Sequence, residues 1–290
     1  MTTPSPDISR RLDVALAAAR EAGEATLRYF QRRDLWVEFK GDGSPVTEAD
    51  RLAEKLIRRH IGAAFPGDGI LGEEEGETPG RTGYRWVLDP IDGTRPFSRG
   101  IPTFGNLIAV ERAAPSAGAC APIVVGVAHF PALHELLWGA LGQGAWWQTP
   151  RLEPARMKVS PVHELSEAVV DTLSPQSWAK ADRTATFERL AASTRRLRSW
   201  SDAYSLALVA TGRVEAGVDF GAKIWDVAPF GIILPEAGGR MTCFAGTDSL
   251  TTGTYIASNR ALHDALLDIL AQPREAAPRS GGPASLRTAC

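Results

Sequence analysis

The segment with the clearest chemical meaning is residues 86–94, which read WVLDPIDGT. Its apolar start predicts a short buried strand, and Pro90, which lacks an N–H group, must end or bulge the ladder. Asp89 and Asp92 therefore stand at a strand end, where each carboxylate can reach a hard cation. Two acids in such a place are more often solvated loop charges, so the pair needs support from elsewhere in the chain.

Uncharged groups of the same segment complete a metal and phosphate site. The Ile91 carbonyl lies between the two acids and is an oxygen ligand of the kind that magnesium and calcium accept. Gly93 and Thr94 offer backbone N–H groups to an anion. The chain behind them has the pattern of a helix start, with Pro96 near its first turn, and the free N–H groups of such a start bind phosphate. The segment thus combines cation ligands with anion donors.

Two further acids stand at the ends of other predicted elements. Glu73 follows the apolar pair Ile70-Leu71, and Asp226 stands beside Trp225 where a helical pattern begins. Taken singly, Glu73 is ordinarily interpreted as part of an acidic turn and Asp226 as a helix N-cap. With the first pair they make four hard oxygen donors, and no histidine or cysteine stands at ligand spacing. Such a set favours magnesium or manganese over zinc.

The segments that hold these acids resemble the inositol monophosphatase family of magnesium-dependent phosphomonoesterases. The resemblance covers residues 8–271 and rests on motifs in a fixed order along the chain: GEE at 72–74, WVLDPIDGT at 86–94, WDVA at 225–228 and EAGG at 236–239. A further motif, SPVTEAD at 44–50, departs at Ser44, where many members carry aspartate. The acid that the resemblance makes functional is the later one, Asp50.

The resemblance implies a fold, a cofactor and a role for each matching residue. The fold is a layered α/β (α+β) protein, an alternating α-β-α-β-α sandwich, in a homodimer. Two or three Mg²⁺ ions are expected per site, with Mn²⁺ possible. The metal ligands implied are Glu73, Asp89, Ile91, Asp92 and Asp226. Thr94, hydrogen-bonded to Asp50, would orient the attacking water and help to take its proton, so these two are the expected catalytic pair.

The substrate is predicted from a second set of segments. SWSDAY at 199–204 and VATGR at 209–213 resemble the histidinol-phosphate phosphatase branch more than the inositol branch. Histidinol phosphate carries an ammonium and an imidazole, which suit the acids Asp202 and Asp219, while Gly93 and Thr94 would hold its phosphate. Asp219 aligns with a substrate-contacting acid in both branches.

Other functions stay open to different degrees. Inositol hydroxyls can bond to the same acids, so inositol-1-monophosphatase is the main alternative. A phosphatase for 3'-phosphoadenosine 5'-phosphate or fructose 1,6-bisphosphate is less favoured. A catalytically silent phosphate-binding scaffold is disfavoured because all four acids are present. The chain has neither a Gly-x-Ser-x-Gly elbow nor a Walker-type phosphate loop, which argues against a serine hydrolase and a P-loop nucleotidase.

Composition supports a soluble enzyme without naming its activity, and the small phosphorylated metabolite as its partner is implied by the resemblance alone. The chain has 290 residues, 44% of them hydrophobic, and a formal charge of −2, so neither nucleic acid nor an acidic membrane is expected as a partner. Its 3 cysteines are widely spaced, and a disulfide framework is not expected. No apolar signal region opens the chain, and no run reaches the ~18 apolar residues of a membrane helix. A cytoplasmic location is predicted.

Helical and strand patterns alternate along the chain. Helical spacing covers residues 7–33, and a second helix begins at Thr47, with Asp50 placed for a capping box. Further helices are predicted at 182–194, 203–212, 225–237 and after 259. The stretch 149–161, which carries Pro150, Pro154 and Pro161, predicts a lobe boundary. We therefore expect an N-terminal α+β lobe at 1–150 with most metal ligands, a C-terminal α/β lobe at 151–272, and a disordered tail at 273–290.

Overall fold

The computed structural model describes residues 5–41, 43–114, 116, 120–200 and 202–271. The predicted disordered tail at 273–290 lies outside the described residues. Within them, no helix is long and apolar enough to cross a membrane. The cytoplasmic location stays a prediction.

The helices of the described residues differ widely in length. They are α1 Pro6–Leu27, α2 Glu48–Ala64, α3 Thr94–Ser98, α4 Pro175–Lys180, α5 Thr184–Ser193, α6 Asp202–Ala210, α7 Ile224–Val227, α8 Phe230–Glu236 and α9 His263–Ala271. Short 3-10 turns cover Pro131–Leu133 and Leu165–Glu167.

The strands divide between a small hairpin and two larger sheets. They are β1 Val37–Phe39, β2 Pro45–Thr47, β3 Gly69–Gly72, β4 Gly76–Thr78, β5 Tyr84–Asp92, β6 Gly105–Arg112, β7 Ile123–Phe130, β8 Glu135–Ala140, β9 Gly144–Thr149, β10 Leu152–Arg156, β11 Val169–Thr172, β12 Arg196–Arg198, β13 Ala216–Phe220, β14 Arg240–Thr242 and β15 Thr254–Ser258.

The first sheet carries the segment that the sequence singled out. It has 8 strands in the order β10-β9-β8-β7-β6-β5-β3-β4. Neighbouring strands run antiparallel except for β3 and β5, which run parallel. Because β3 and β5 share a direction, their carboxyl ends meet at one edge of the sheet, and the acids that follow them are brought together there.

The second sheet and the helices complete five layers. This sheet has 5 strands in the order β12-β11-β13-β15-β14. Helices α1 and α2 cover one face of the first sheet, α6, α7 and α8 lie between the sheets, and α4, α5 and α9 lie outside the second. This arrangement is the α-β-α-β-α sandwich that the resemblance implies, and the fold prediction is confirmed.

Short side chains let α1 approach the first sheet closely. Ala15, Ala18, Ala19 and Ala22 are fully buried along one face of the helix. That face packs on β6 and β7. The spacing of these small residues follows the helical period, which is why the sequence predicted the helix. The helix ends at Leu27, earlier than the predicted end at residue 33.

Several predicted boundaries differ from the structure. The helix predicted at 225–237 is divided into α7 and α8, because Pro229 has no N–H group to continue the hydrogen-bond ladder. The helix predicted at 182–194 begins two residues later, since Asp182 has a left-handed φ of 55°. The stretch 149–161 holds β10, which pairs with β9 and extends the first sheet past residue 150. The division into two lobes stays a prediction.

Candidate active site

A β-bulge presents the two central acids. Asp89 of β5 pairs with Leu107 of β6, and Asp92 pairs with Gly105, so two β5 residues lie opposite the single β6 residue Asn106. The bulge confirms the prediction that Pro90 would disturb the ladder. A bulge turns the strand and re-aims its side chains. Both carboxylates therefore leave the sheet at the carboxyl end of β5.

Asp226 joins these two acids from the layer between the sheets. One carboxylate oxygen from each of Asp89, Asp92 and Asp226 lies within 4.8 Å of the others. Asp89 and Asp92 are only 2% and 5% exposed. The Asp226 carboxylate accepts the Lys223 N–H at 2.7 Å, as in a capping box, and Asp92 Oδ2 accepts the Ala203 N–H at 2.9 Å. We call these three acids the acid trio.

Burial and mutual repulsion act on all three carboxyl groups of the acid trio. Burial first, and then the neighbouring carboxylates, raise the pKa of Asp89 and of Asp92 well above the ordinary value. The same causes, burial first, raise the pKa of Asp226 to about 6. Asp89 Oδ1 is buried with no hydrogen-bond partner among the described residues. Unpartnered oxygen donors and uncompensated negative charge are what Mg²⁺ or Mn²⁺ would satisfy, so the residues fit such an ion.

Glu73 lies just beyond β3 and has a cationic partner. Lys40 Nζ donates to Glu73 Oε1 at 2.8 Å and to Glu74 Oε1 at 2.7 Å. Burial lowers the pKa of Lys40, but the two carboxylates raise it by more, so the ammonium keeps its charge. Burial raises the pKa of Glu74 to about 7. Lys40 was not predicted from the sequence, because its partners lie more than thirty residues away along the chain.

The predicted catalytic pair is in hydrogen-bond contact. Thr94 Oγ1 lies 3.2 Å from Asp50 Oδ1 and 3.1 Å from the Ile91 carbonyl oxygen, and its single proton can be donated to one of these two oxygens at a time. Asp50 Oδ2 accepts the Thr47 N–H at 2.7 Å and the Thr47 hydroxyl at 2.6 Å, which is the predicted capping box. Asp50 is 1% exposed, and burial raises its pKa to about 6. Its carboxylate faces the Thr94 hydroxyl and can accept a hydrogen bond from it.

Gly93 provides the turn between the bulge and α3. Its φ of 77° is left-handed, and a Cβ there would lie 3.1 Å from Pro96 Cγ and 3.3 Å from Asp202 Oδ2. Only glycine adopts this conformation without strain and leaves room for both neighbours. The predicted helix behind it is α3, five residues long. Gly93 thus brings the bulge next to Asp202.

Two adjoining cavities occupy this end of the molecule. The first, which we call the acid cavity, has a volume of about 520 Å³. It is lined by Lys40, Ser44, Pro45, Glu73, Asp89, Ile91, Asp92, Gly93, Thr94, Arg95, Asp202, Gly221, Lys223, Trp225 and Asp226. Every predicted metal ligand lines it, while the predicted catalytic acid Asp50 lies behind Thr94. The basic residues of its wall were missed by the sequence analysis.

The second cavity, the side cavity, has a volume of about 290 Å³ and opens beside the first. The two share Asp92, Arg95, Asp202, Gly221 and Asp226. The remaining lining residues are mainly apolar, apart from an acid and a phenol: Leu173, Ala203, Leu206, Asp219, Phe220, Ala222, Val227 and Tyr255. An acidic, partly aromatic pocket thus adjoins the acid trio.

The two predicted substrate acids reach these cavities from different elements. Asp202 opens α6 with a left-handed φ of 53°, and Asp219 lies on β13 opposite Tyr255 of β15. Burial, followed by the charges of Asp202 and other acids, raises the pKa of Asp219 to about 8. Asp202 lines both cavities and Asp219 only the side cavity. Their side chains are therefore available to the organic part of a ligand.

Comparisons with known proteins show what the chain is similar to. The model of the inositol monophosphatase family matches residues 7–275. A histidinol-phosphatase of Mycobacterium tuberculosis is 39% identical over 257 residues, which are 88% of this chain and 96% of that protein. An inositol-1-monophosphatase of Mesorhizobium japonicum is 34% identical, over 92% of this chain and 98% of that protein. The crystal structure of the extragenic suppressor protein suhB from Bartonella henselae superposes with a TM-score of 0.81 and 31% identity, covering 91% and 99% of the two chains.

Proposed function

The chain belongs to the inositol monophosphatase family and is a phosphatase that hydrolyses phosphate monoesters, and from this premise we propose that its substrate is L-histidinol phosphate. The products would be L-histidinol and phosphate, in a magnesium-dependent reaction of histidine biosynthesis. The observation that carries the proposal is the acidic side cavity beside the acid trio. Histidinol-phosphatase relatives that are 38% to 40% identical over most of this chain support it.

In the proposed site, Glu73, Asp89, Asp92, Asp226 and the Ile91 carbonyl hold Mg²⁺. When bound, Mg²⁺ supplies positive charge to the phosphate oxygens and acidifies a water molecule. The geometry that supports this assignment is the close approach of the acid trio and the unpartnered Asp89 Oδ1. The fit extends to Mn²⁺, which accepts the same oxygen donors.

The chain's own groups prepare the attack of water on phosphorus. The Thr94 hydroxyl donates toward Asp50, which leaves the Thr94 oxygen free to accept a hydrogen bond from the attacking water and so to orient it. As the water gives a proton to the Thr94 oxygen, the Thr94 proton would move to the buried Asp50 carboxylate, so that the pair takes up one proton in total. The backbone N–H groups of Gly93 and Thr94, together with the wall cations Lys40 and Arg95, would bind the phosphate.

The organic part of histidinol phosphate would lie in the side cavity. Asp202 and Asp219 would accept hydrogen bonds from its ammonium and imidazole, and Phe220 and Tyr255 would pack beside the ring. Binding of a cation would favour the ionised form of Asp219, whose carboxyl is otherwise neutral at pH 7 because its pKa is about 8. Charge complementarity therefore favours a cationic substrate over a neutral polyol.

The test is a comparison of kcat/KM on four phosphate esters with magnesium present. The esters are histidinol phosphate, inositol 1-phosphate, fructose 1,6-bisphosphate and 3'-phosphoadenosine 5'-phosphate. We expect the first to be hydrolysed with the highest kcat/KM. A higher value for inositol 1-phosphate would transfer the proposal to inositol-1-monophosphatase, the activity named for the 34% identical relative.

The proposed homodimer has a separate test. Light scattering coupled to size exclusion should give twice the mass of one chain. A monomer at micromolar concentration would contradict this part of the proposal and would leave the proposed reaction unaffected.

A further inference from the structure

Asn106 is the single β6 residue opposite the bulge in β5. The ladder joins Asp89 to Leu107 and Asp92 to Gly105, so Pro90 and Ile91 together face Asn106. Asn106 is fully buried, and its side-chain Nδ2 donates to the Pro90 carbonyl oxygen at 2.5 Å. The contact therefore reaches the peptide between the two central acids without entering either cavity.

This hydrogen bond reaches the carbonyl of the bulge itself. A bulge removes a carbonyl from the strand ladder, and a buried carbonyl needs another donor. Because the peptide unit is planar, a donor that holds the Pro90 oxygen also holds the Ile91 nitrogen, and with it the direction in which Ile91 leaves. The next carbonyl, of Ile91, lies 3.1 Å from the Thr94 hydroxyl, whose single proton is donated to Asp50 in the proposed mechanism. Asn106 is thus the side chain that can donate to the bulge at all times.

The surroundings of Asn106 keep its amide in one orientation. A Cβ at Gly23 of α1 would lie 2.3 Å from His129 Cε1 and 3.2 Å from Asn106 Oδ1, so the helix, the histidine and the amide are in close contact. His129 Nδ1 is bonded to the Ala19 carbonyl at 2.9 Å and so must be its donor. Since the Pro90 oxygen can only accept, the amide nitrogen of Asn106 must face it.

The orientation leaves a polar atom without a partner. Asn106 Oδ1 is buried and has no hydrogen-bond partner among the described residues. An unsatisfied buried oxygen destabilises the fold, and an apolar side chain of similar size would avoid that cost. The benefit of asparagine at this position is therefore its donor to the bulge.

We infer that Asn106 is a positioning residue of the metal centre, which acts through the Pro90 carbonyl to aim Asp89, the Ile91 carbonyl and Asp92. This inference rests on the proposed metal-dependent function. Without the donor, the bulge can rotate, and the three oxygen ligands lose their common direction. Groups that orient metal ligands from outside typically change metal affinity by about 10- to 100-fold.

The test measures metal binding in the substrate-free protein. Asn106→Leu keeps the size of the side chain and Asn106→Ala removes any risk of overpacking, and both lack the donor. Mn²⁺ affinity is measured from the electron paramagnetic resonance signal of free Mn²⁺, and thermal stability is measured on the same samples. We expect the dissociation constant for Mn²⁺ to rise by about tenfold or more in both variants.

Asn259→Leu is the matched control. Asn259 is also a buried asparagine whose Nδ2 donates to backbone carbonyls, those of Ser160 and Val162, and it lines neither cavity. Its Oδ1 is satisfied by the Leu262 N–H at 3.2 Å, so its loss should lower the melting temperature more than Asn106→Leu does. Mn²⁺ affinity should stay within about twofold of the wild type, outside the range expected for a group that orients ligands.

The outcomes separate the inference from the proposed function. Mn²⁺ affinity within about twofold of wild type in a folded Asn106 variant would show that the residue has only a structural role. Absence of Mn²⁺ binding by the wild type would overturn the metal-dependent function and the inference with it. Where affinity falls as expected, saturating Mg²⁺ should restore most of kcat, because the residue acts on ligand direction and touches no substrate.

Discussion

The proposed metal end and the proposed organic end of the site are built in different ways. At the metal end, Asp89, the Ile91 carbonyl and Asp92 come from one continuous bulge, and the acids are almost completely buried. At the organic end, Asp202 opens a helix and Asp219 lies on a strand of the other sheet. The contrast teaches that the central acids of the metal end are placed by a local motif, which Glu73 and Asp226 join from other elements, while both acids of the organic end come from separate elements.

This contrast has a consequence for the effect of substitutions. A change at the metal end should reduce the hydrolysis of every substrate, because the same groups act on the phosphate in each case. A change at the organic end should act on one substrate and spare another, because it alters contacts to the leaving group. Experiments that compare two substrates can therefore test this distinction.

The largest effect is expected from metal removal. Activity on all substrates should vanish with EDTA and return with Mg²⁺, because the acid trio would otherwise repel both the phosphate and the attacking water. Ca²⁺ should substitute poorly, since it accepts looser geometry and more ligands. The measurement is phosphate release after exhaustive chelation. Full activity at that point would contradict the proposed metal dependence.

The second effect is that of Asp92→Asn, which keeps the shape of the side chain but removes its charge. The amide oxygen can still accept the Ala203 N–H, so the fold should be retained. We expect kcat to fall by on the order of a hundredfold or more, as for the loss of one electrostatic contact to a transition state. The loss should be equal for histidinol phosphate and p-nitrophenyl phosphate. Wild-type turnover would show that Asp92 is only structural.

The third effect is selective. Asp202→Asn and Asp219→Asn should lower kcat/KM for histidinol phosphate by roughly tenfold to a hundredfold, as expected for the loss of ~1.5 to 3 kcal/mol from a charged hydrogen bond. Hydrolysis of p-nitrophenyl phosphate should change little. Asp264→Asn, at an exposed acid that pairs with Arg240, is the control. Equal losses on both substrates would assign these acids to the metal end instead.

The smallest effect on activity is expected from the buried histidines, one in each half of the molecule. Their predicted effect is on the free energy of unfolding. Burial lowers the pKa of His129 and of His263 to about 4, from an ordinary value of 6.5. The folded state holds both imidazoles neutral, while the unfolded chain takes up protons below pH 6.5. Their contribution to the free energy of unfolding is therefore complete above pH 6.5 and is lost as the pH falls towards 4. Each can reduce the free energy of unfolding by up to ~3 kcal/mol.

Urea denaturation between pH 7 and pH 4.5 measures this loss. His263→Asn should weaken the dependence on pH, because its imidazole is fully buried between the hydroxyls of Thr242 and Ser258. His163→Gln, at an exposed histidine, should leave it unchanged. An unaltered pH dependence in His263→Asn would show that other groups cause the loss of stability in acid.

Sequence reasoning was most successful where the signal is local. The bulge at Pro90, the capping box of Thr47 and Asp50, and the strand that leads to Asp89 each follow from neighbouring residues. Helix boundaries were less accurate. The helical pattern of the sequence continues through residue 229. Because Pro229 has no N–H group for the helical hydrogen bonds, the helix is divided into α7 and α8. The strand β10 was missed because its residues carry no clear alternation.

The amino-acid sequence by itself determined the oxygen-donor chemistry of this protein, because the acids of the bulge are placed by covalent spacing and by the missing N–H group of Pro90. Only the tertiary structure decided that Lys40 pairs with Glu73, that Asn106 supports the bulge, and that the side cavity adjoins the acid trio. These contacts join residues from different layers. Their distances depend on how the two sheets and the helices pack, and packing leaves no spacing pattern in the chain.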